Sequence, residues 1–147
     1  MQSSTSASNS VANNTTAVNP QVNAKENYRV YDGKPEDGFH FFIMFDDGNR
    51  LYFILYDNQL AVIRPNIKSF IDGWEGYAKP KGDLVIPKEI EYNGQRLGVV
   101  AIKDKAFNGC DKLTSVVLPN TIKVIESGSF SHCSRSVGVL ILLEIFR

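Results

Sequence analysis

The chain has 147 residues, and its 16 Lys and Arg residues are balanced by 16 Asp and Glu residues. This length fits one domain with a sizeable core. The balanced charge supplies no basic field for nucleic acid, so no nucleic-acid partner is expected. No apolar run reaches the roughly 18 residues that span a bilayer, so no membrane-spanning segment is expected either.

Residues 1–26 are rich in Ser, Asn, Thr and Ala and contain few apolar residues. Such a segment cannot bury enough surface to offset the entropy lost on ordering, so we predict a disordered leader that acts as a tether. It lacks a basic segment followed by an apolar one, and we predict no signal peptide in this chain.

Three apolar runs follow, at residues 39–45, 51–56 and 60–63, and turn sequences separate them at residues 46–49 and 57–58. Aromatic and β-branched residues between Asp-Gly and Asp-Asn turns are typical of a β-meander. We therefore predict that residues 27–82 form an N-terminal β-meander cap with a connecting loop. His40 lies on the first of these runs and is interpreted as a solvated or satisfied residue.

The connecting loop, residues 66–82, is the least regular part and contains the only Trp. Two interpretations of Trp74 and Tyr77 stay open. The two rings fold back over the core, or they form an exposed platform for a sugar or a peptide, since both residue types are favoured binding anchors.

One sequence unit occurs at least twice between residues 84 and 134. IKDKAFNGC (residues 102–110) aligns with IESGSFSHC (residues 125–133), so that Ile102 matches Ile125 at a distance of 23 positions. A looser copy upstream aligns Leu84 with Val116, 32 positions apart, and the Asn93–Gly94 insert, typical of a hairpin, accounts for the difference. A fixed period in the twenties predicts a solenoid, in which stacked copies bury a shared core.

Each unit is interpreted as a strand, a turn and a short helical turn. Val116 and Leu118 have the two-residue spacing of a strand face, and Pro119 ends the strand. The spacing of Ala106, Phe107 and Cys110 predicts one helical turn, closed by Gly109 in a left-handed conformation. The predicted repeat core consists of Ile102, Phe107, Cys110, Leu113, Val116, Leu118, Ile122, Ile125, Phe130 and Cys133. Thr114 and Val117, with the equivalent Val85, point outward and are candidate binding residues.

Carrying the period of 23 forward places Val139 beside Val116 and Ile141 beside Leu118. We therefore predict that residues 83–147 are repeats whose last copy is incomplete. Leu140, Leu142, Leu143 and Phe146 are surplus apolar residues in this alignment. They predict self-association through residues 137–146, because an open apolar strand edge is a template for pairing; the alternative is a tail that folds back on its own copy.

The recurring pattern IP…I…I…AF…C…L…V.IP resembles the BspA-type leucine-rich repeat of bacterial surface proteins. The resemblance extends over about residues 51–134 of this sequence. It implies a mainly β, right-handed, leucine-rich-repeat-like solenoid with short helical turns, exported to a cell surface or secreted. It also implies a non-enzymatic role in protein binding or adhesion, with an extracellular protein or glycan as the ligand. Two alternatives remain: a glycan-binding module that uses Trp74 and Tyr77, and a structural fragment of a longer repeat array.

No catalytic or metal-binding motif is recognisable, so we predict no enzyme activity, cofactor or metal site. Ser129 and His132 lie close together, but Ser129 takes the small core position that Ala106 has in the other copy. Cys110 and Cys133 match in the repeat and are interpreted as buried thiols; a disulfide between neighbouring copies stays open. The acidic pair at residues 46–47 is interpreted as part of a turn.

Overall fold

The computed structural model describes residues 27–133 and the backbone of residues 140–143. The predicted leader (residues 1–26) lies outside this part, as do residues 134–139 and 144–147. The strands are β1 Tyr28–Asp32, β2 Phe41–Phe45, β3 Arg50–Tyr56, β4 Gln59–Ile63, β5 Gly82–Val85, β6 Glu89–Tyr92, β7 Gln95–Ile102, β8 Leu113–Leu118, β9 Val124–Ile125 and β10 Leu140–Leu143. A 3-10 turn, Pro35–Asp37, is the only helical element among the described residues.

The strands form two sheets. A seven-stranded sheet has the order β9-β7-β4-β3-β2-β1, with β6 also paired to β7, and a three-stranded sheet has the order β10-β8-β5. The described part of the chain is therefore mainly β, and its sheets do not close into a barrel. Buried residues from both sheets pack into one core.

The predicted meander is confirmed as β2, β3 and β4, which pair in antiparallel order. Asp57 and Asn58 both have positive φ, as a two-residue hairpin turn requires. The insert hairpin at Asn93 and Gly94 has the same geometry between β6 and β7. Sequence reasoning missed β1, which pairs with β2 because its tyrosines pack on the aromatic side chains of that strand.

Two parallel ladders run through the molecule. β4, β7 and β9 form the first ladder, and β5, β8 and β10 form the second. Ile102 pairs with Ile125, and Leu84 pairs with Val116, so both predicted alignments are confirmed.

The alignment predicted for the last strand is wrong. Ile141 pairs with Val116 and not with Leu118, because the connection from Cys133 to this strand is two residues longer than its counterpart in the first copy. The predicted positions of Val139 and Phe146 lie outside the described residues.

The predicted helical turn at residues 106–110 is a series of tight turns. The amides of Ala106, Asn108 and Cys110 each bond to the carbonyl three residues earlier, and these bonds do not join into a helix. Lys105, just before this segment, has a left-handed φ of 59°. Gly109 is left-handed, as predicted. The second copy repeats this backbone, with left-handed Gly128 and His132 at the equivalent positions.

Most of the predicted repeat core is buried, namely Ile102, Phe107, Cys110, Leu113, Val116, Leu118 and Cys133. Ile122 and Phe130 are half-buried and pack against the core. The prediction is wrong for Ile125, which is 46% exposed. Within the described residues β9 is the last strand of its ladder, so no strand beyond it covers Ile125.

Candidate binding surfaces

The first candidate surface is the outer face of β5 and β8, formed by Asp83, Val85, Thr114, Ser115 and Val117 (hereafter the outer face). The pairing of the two strands sets Val85 beside Val117 and Asp83 beside Ser115. Val85 is 57% exposed, Thr114 is exposed and Val117 is half-buried. The alternate residues Leu84 and Val116 are buried, as the two-residue period of a strand requires.

Asp83 organises the polar end of the outer face. Its Oδ1 accepts hydrogen bonds of 2.7 Å from the hydroxyls of both Thr114 and Ser115. These bonds lower the pKa of Asp83, with that from Thr114 contributing most, so the carboxylate stays charged at neutral pH. The outer face thus combines a fixed negative group with an apolar pair, Val85 and Val117.

The structure does not bring Trp74 to the surface. The Trp74 side chain is 1% exposed, its Nε1 donates to the carbonyl oxygen of Ala106 at 2.9 Å, and its ring packs edge-to-face on Tyr52. Tyr77 is half-buried against Tyr52 and Phe39. The exposed-platform interpretation is wrong for Trp74, because its ring and its N–H are both taken up by the core, and the fold-back interpretation is confirmed.

Beside this loop lies a second candidate, an open groove of about 800 Å³ that the sequence did not predict. Tyr77 and the edge of Trp74 line it together with the β2–β3 turn and Lys112. The buried Asn49 fixes its shape, since the Asn49 amide donates to the carbonyl of Lys81 and accepts from the Lys81 amide. The charged residues along the groove are Asp47, Asp72, Glu75, Lys79, Lys81, Asp111 and Lys112.

The two cysteines are free and buried, so the disulfide alternative is not realised. Burial raises the pKa of both thiols, which keeps them protonated and unreactive. The Cys133 thiol donates to the carbonyl of Phe107 at 3.1 Å.

The serine and histidine of the second copy have separate structural positions. Buried Ser129 donates from its hydroxyl to the Lys103 carbonyl, whereas His132 is exposed beside Asn108. Residues 27–133 contain no cluster of side chains able to hold a metal ion. Across the described segments, no helix is long and apolar enough to cross a membrane.

Residues 88–141 match the family described as a BspA type leucine rich repeat region (6 copies). No curated protein and no solved structure matches the chain. The matched residues include both copies of the repeated unit, residues 102–110 and 125–133. They also include the strands β7, β8 and β9 and the first two residues of β10. Residues 88–141 are therefore similar to BspA-type leucine-rich repeats, as the recurring pattern of the sequence predicted.

Proposed function

We propose that this chain is a non-enzymatic protein-binding repeat module, built as a short right-handed leucine-rich-repeat solenoid behind a cap at residues 27–82. The two parallel ladders would be two sides of the solenoid. The stacking of the two copies supports this proposal: the amides of Phe107 and Gly109 donate to the carbonyls of Ser129 and Ser131, and the rings of Phe107 and Phe130 stack at 5.2 Å. Leucine-rich repeats are generally binding scaffolds, which agrees with a non-enzymatic role.

The outer face is the surface that we propose for the partner. The observation that carries this proposal is the exposed Val85 beside Val117, held on paired strands next to the Asp83 carboxylate. Paired strands hold these side chains about 4.8 Å apart without further ordering, so little conformational entropy is lost on binding. An extended segment with apolar residues and a basic residue would complement this face.

The family resemblance further supports a location at a cell surface or outside the cell, where the module would act in adhesion. An extracellular protein is therefore the proposed partner class.

The test is a binding experiment with the immobilised full chain against host-matrix proteins and bacterial surface proteins. Val85→Lys with Val117→Lys should abolish capture of any specific partner, because it places two charges on the apolar pair. The matched control is Val124→Lys, at a strand residue of the other sheet that is 49% exposed, against 57% for Val85. Capture that survives the double substitution, or that is lost equally in the control, would contradict the proposed surface.

Self-association is a second candidate function, and the segment predicted for it is unchanged, residues 137–146. In the described part of the chain β10 pairs on one side only, and Val124 and Ile125 are exposed on β9, the last strand of the other ladder. Unpaired strand edges beside apolar residues favour pairing between chains. Light scattering at about 100 μM should show larger species for the full chain than for a chain ending at Ser136. Two monomeric samples would count against self-association.

A further inference from the structure

The loop between β4 and β5 presents two large apolar side chains to solvent. Phe70 is 89% exposed and Ile71 is 92% exposed. The other exposed large apolar residues in the described part lie between 37% and 57%. These two neighbours are therefore far more exposed than the other apolar surface residues. They lie within residues 67–71, hereafter the apex of the loop.

The apex is held by hydrogen bonds within the loop. The Asn66 amide donates to the carbonyl of Gly73 at 2.8 Å, which closes the loop at its base. The Ser69 hydroxyl accepts from the amides of Ile71 and Asp72, at 3.3 and 3.1 Å. Phe70 and Ile71 are thus exposed on an ordered backbone, so presenting them requires little further ordering.

The base of the loop is fixed to the repeat. Arg64 reaches the Asp104 carboxylate and the carbonyl of Ile67, both at 3.5 Å. Gly73 lies so close to Arg64 that an added Cβ would stand 2.3 Å from the Arg64 Cδ. The next residue, Trp74, is buried and bonded to Ala106. These contacts direct the apex away from the core.

The size and the charge of the apex favour a lipid surface over a protein pocket. Two side chains bury at most about 400 Å², roughly half of what one partner contributes to a stable protein interface. A lipid surface needs no matching pocket, because the acyl boundary deforms around a small convex apolar tip. Lys68 is the only charged residue from residue 67 to residue 71, and it suits anionic headgroups.

We propose that this apex docks the protein on anionic lipid surfaces, with Phe70 and Ile71 entering the acyl boundary and Lys68 meeting the headgroups. Binding is weak and reversible, since the apex supplies two apolar side chains and one charge, and the chain as a whole carries no net charge. This contact is separate from the outer face proposed for a protein partner, because it involves a different loop and different residues.

The test is co-sedimentation of the full chain with phosphatidylcholine vesicles that contain about one third phosphatidylserine. Phe70→Ser with Ile71→Ser should lower the partition coefficient by about tenfold or more. Lys68→Gln should lower it by about fivefold on these vesicles and leave it unchanged on pure phosphatidylcholine. Val85→Ser, at an exposed apolar residue outside the loop, is the matched control and should bind like the unmodified chain.

Because Phe70 and Ile71 are almost fully exposed, the double substitution should leave the melting temperature unchanged, which separates lost binding from lost folding. A Phe70→Trp indole should shift its emission to the blue on vesicles and be quenched by brominated lipids, against the constant background of buried Trp74. Absence of vesicle binding, or equal binding by the double variant, would overturn the proposal. A double variant that loses self-association and not lipid binding would assign the apex to a protein contact and would also overturn it.

Discussion

The two copies of the repeat share a backbone but differ in burial. In both, the equivalent turn positions are left-handed: Lys105 and Gly128 have φ of 59° and 72°. Ile102 has no exposed surface, whereas its counterpart Ile125 is 46% exposed. Phe107 is likewise fully buried, and the equivalent Phe130 is only half-buried.

The difference follows from the neighbours of each copy. The strand of the first copy, β7, has β4 on one side and β9 on the other, whereas β9 has only β7 within the described residues. The repeat sequence therefore determines the backbone of a copy, and its place in the stack determines how much of it is buried. The same residue type should contribute more to stability in the first copy than in the second.

The largest expected effect is that of removing the buried ring. Phe107→Ala should lower the free energy of unfolding by about 3–5 kcal/mol, because it leaves a cavity in a closed core. Phe130→Ala is the matched variant and should cost about 1–2 kcal/mol, since its ring is already partly hydrated. Urea unfolding measures both values. Equal losses would contradict the burial difference, and a loss under about 1 kcal/mol for Phe107→Ala would remove Phe107 from the core.

A smaller effect is expected at the loop that covers the first copy. Trp74→Phe keeps an aromatic ring but leaves the buried Ala106 carbonyl without its donor, so it should cost about 1–3 kcal/mol. Phe70→Ala, at an exposed residue of the same loop, should change stability by less than about 0.5 kcal/mol. If both variants melted alike, Trp74 would not be part of the core.

The left-handed turn positions predict changes of opposite sign. Lys105→Gly should stabilise the protein by about 1 kcal/mol, because glycine adopts this φ without steric strain. Gly128→Lys at the equivalent position should destabilise it by a similar amount. An added Cβ at Gly128 would meet its nearest neighbour at 3.5 Å, an ordinary contact, so the effect would be conformational. Thermal melts that moved in the same direction for both variants would contradict a shared backbone.

The smallest expected effect is that of an ion pair joining the copies. Lys103 Nζ lies 3.0 Å from Glu126 Oε2, and this bond lowers the pKa of Glu126. A lowered carboxylate pKa stabilises the fold above the ordinary value of 4.5, and this contribution is lost as the pH falls through the folded-state pKa. Both side chains are about one third exposed, so Glu126→Gln should cost only about 0.5 kcal/mol at neutral pH. The difference from the unmodified chain should vanish in acid; a gap that persisted there would assign the effect to packing.

Much of the fold was predictable because the repeat is recognisable in the sequence, from apolar residues at matched positions. Matched apolar residues gave the correct pairing of Ile102 with Ile125, and turn chemistry located the hairpins at Asp57 and Asn93. The register of β10 was not predictable, because it depends on the length of a connection that the repeat does not determine. The exposure of Ile125 was not predicted either, because the burial of a residue in one copy depends on whether another strand packs against that copy.

The candidate surfaces were less predictable. Strand alternation correctly pointed Val85 outward, since it needs only the two-residue period. Thr114 is also exposed, although it has the parity of the buried Val116, and it lies where the pairing shifts by one residue between Gly82 and Asp83. Trp74 was ambiguous because an irregular loop gives no periodicity that distinguishes a buried ring from an exposed one. Nothing in the composition distinguished Phe70 from Trp74, although one is exposed and the other is buried by a long-range contact with Ala106.

Amide hydrogen exchange tests most directly whether the two copies stack as consecutive units. The amides of Phe107 and Gly109 donate to carbonyls of the second copy, whereas the structure gives their counterparts Phe130 and His132 no acceptor within the described residues. We predict strong protection of Phe107 and Gly109 and fast exchange at Phe130 and His132 in the same sample. If Phe107 and Gly109 exchanged as fast as their counterparts, the copies would not be stacked as described.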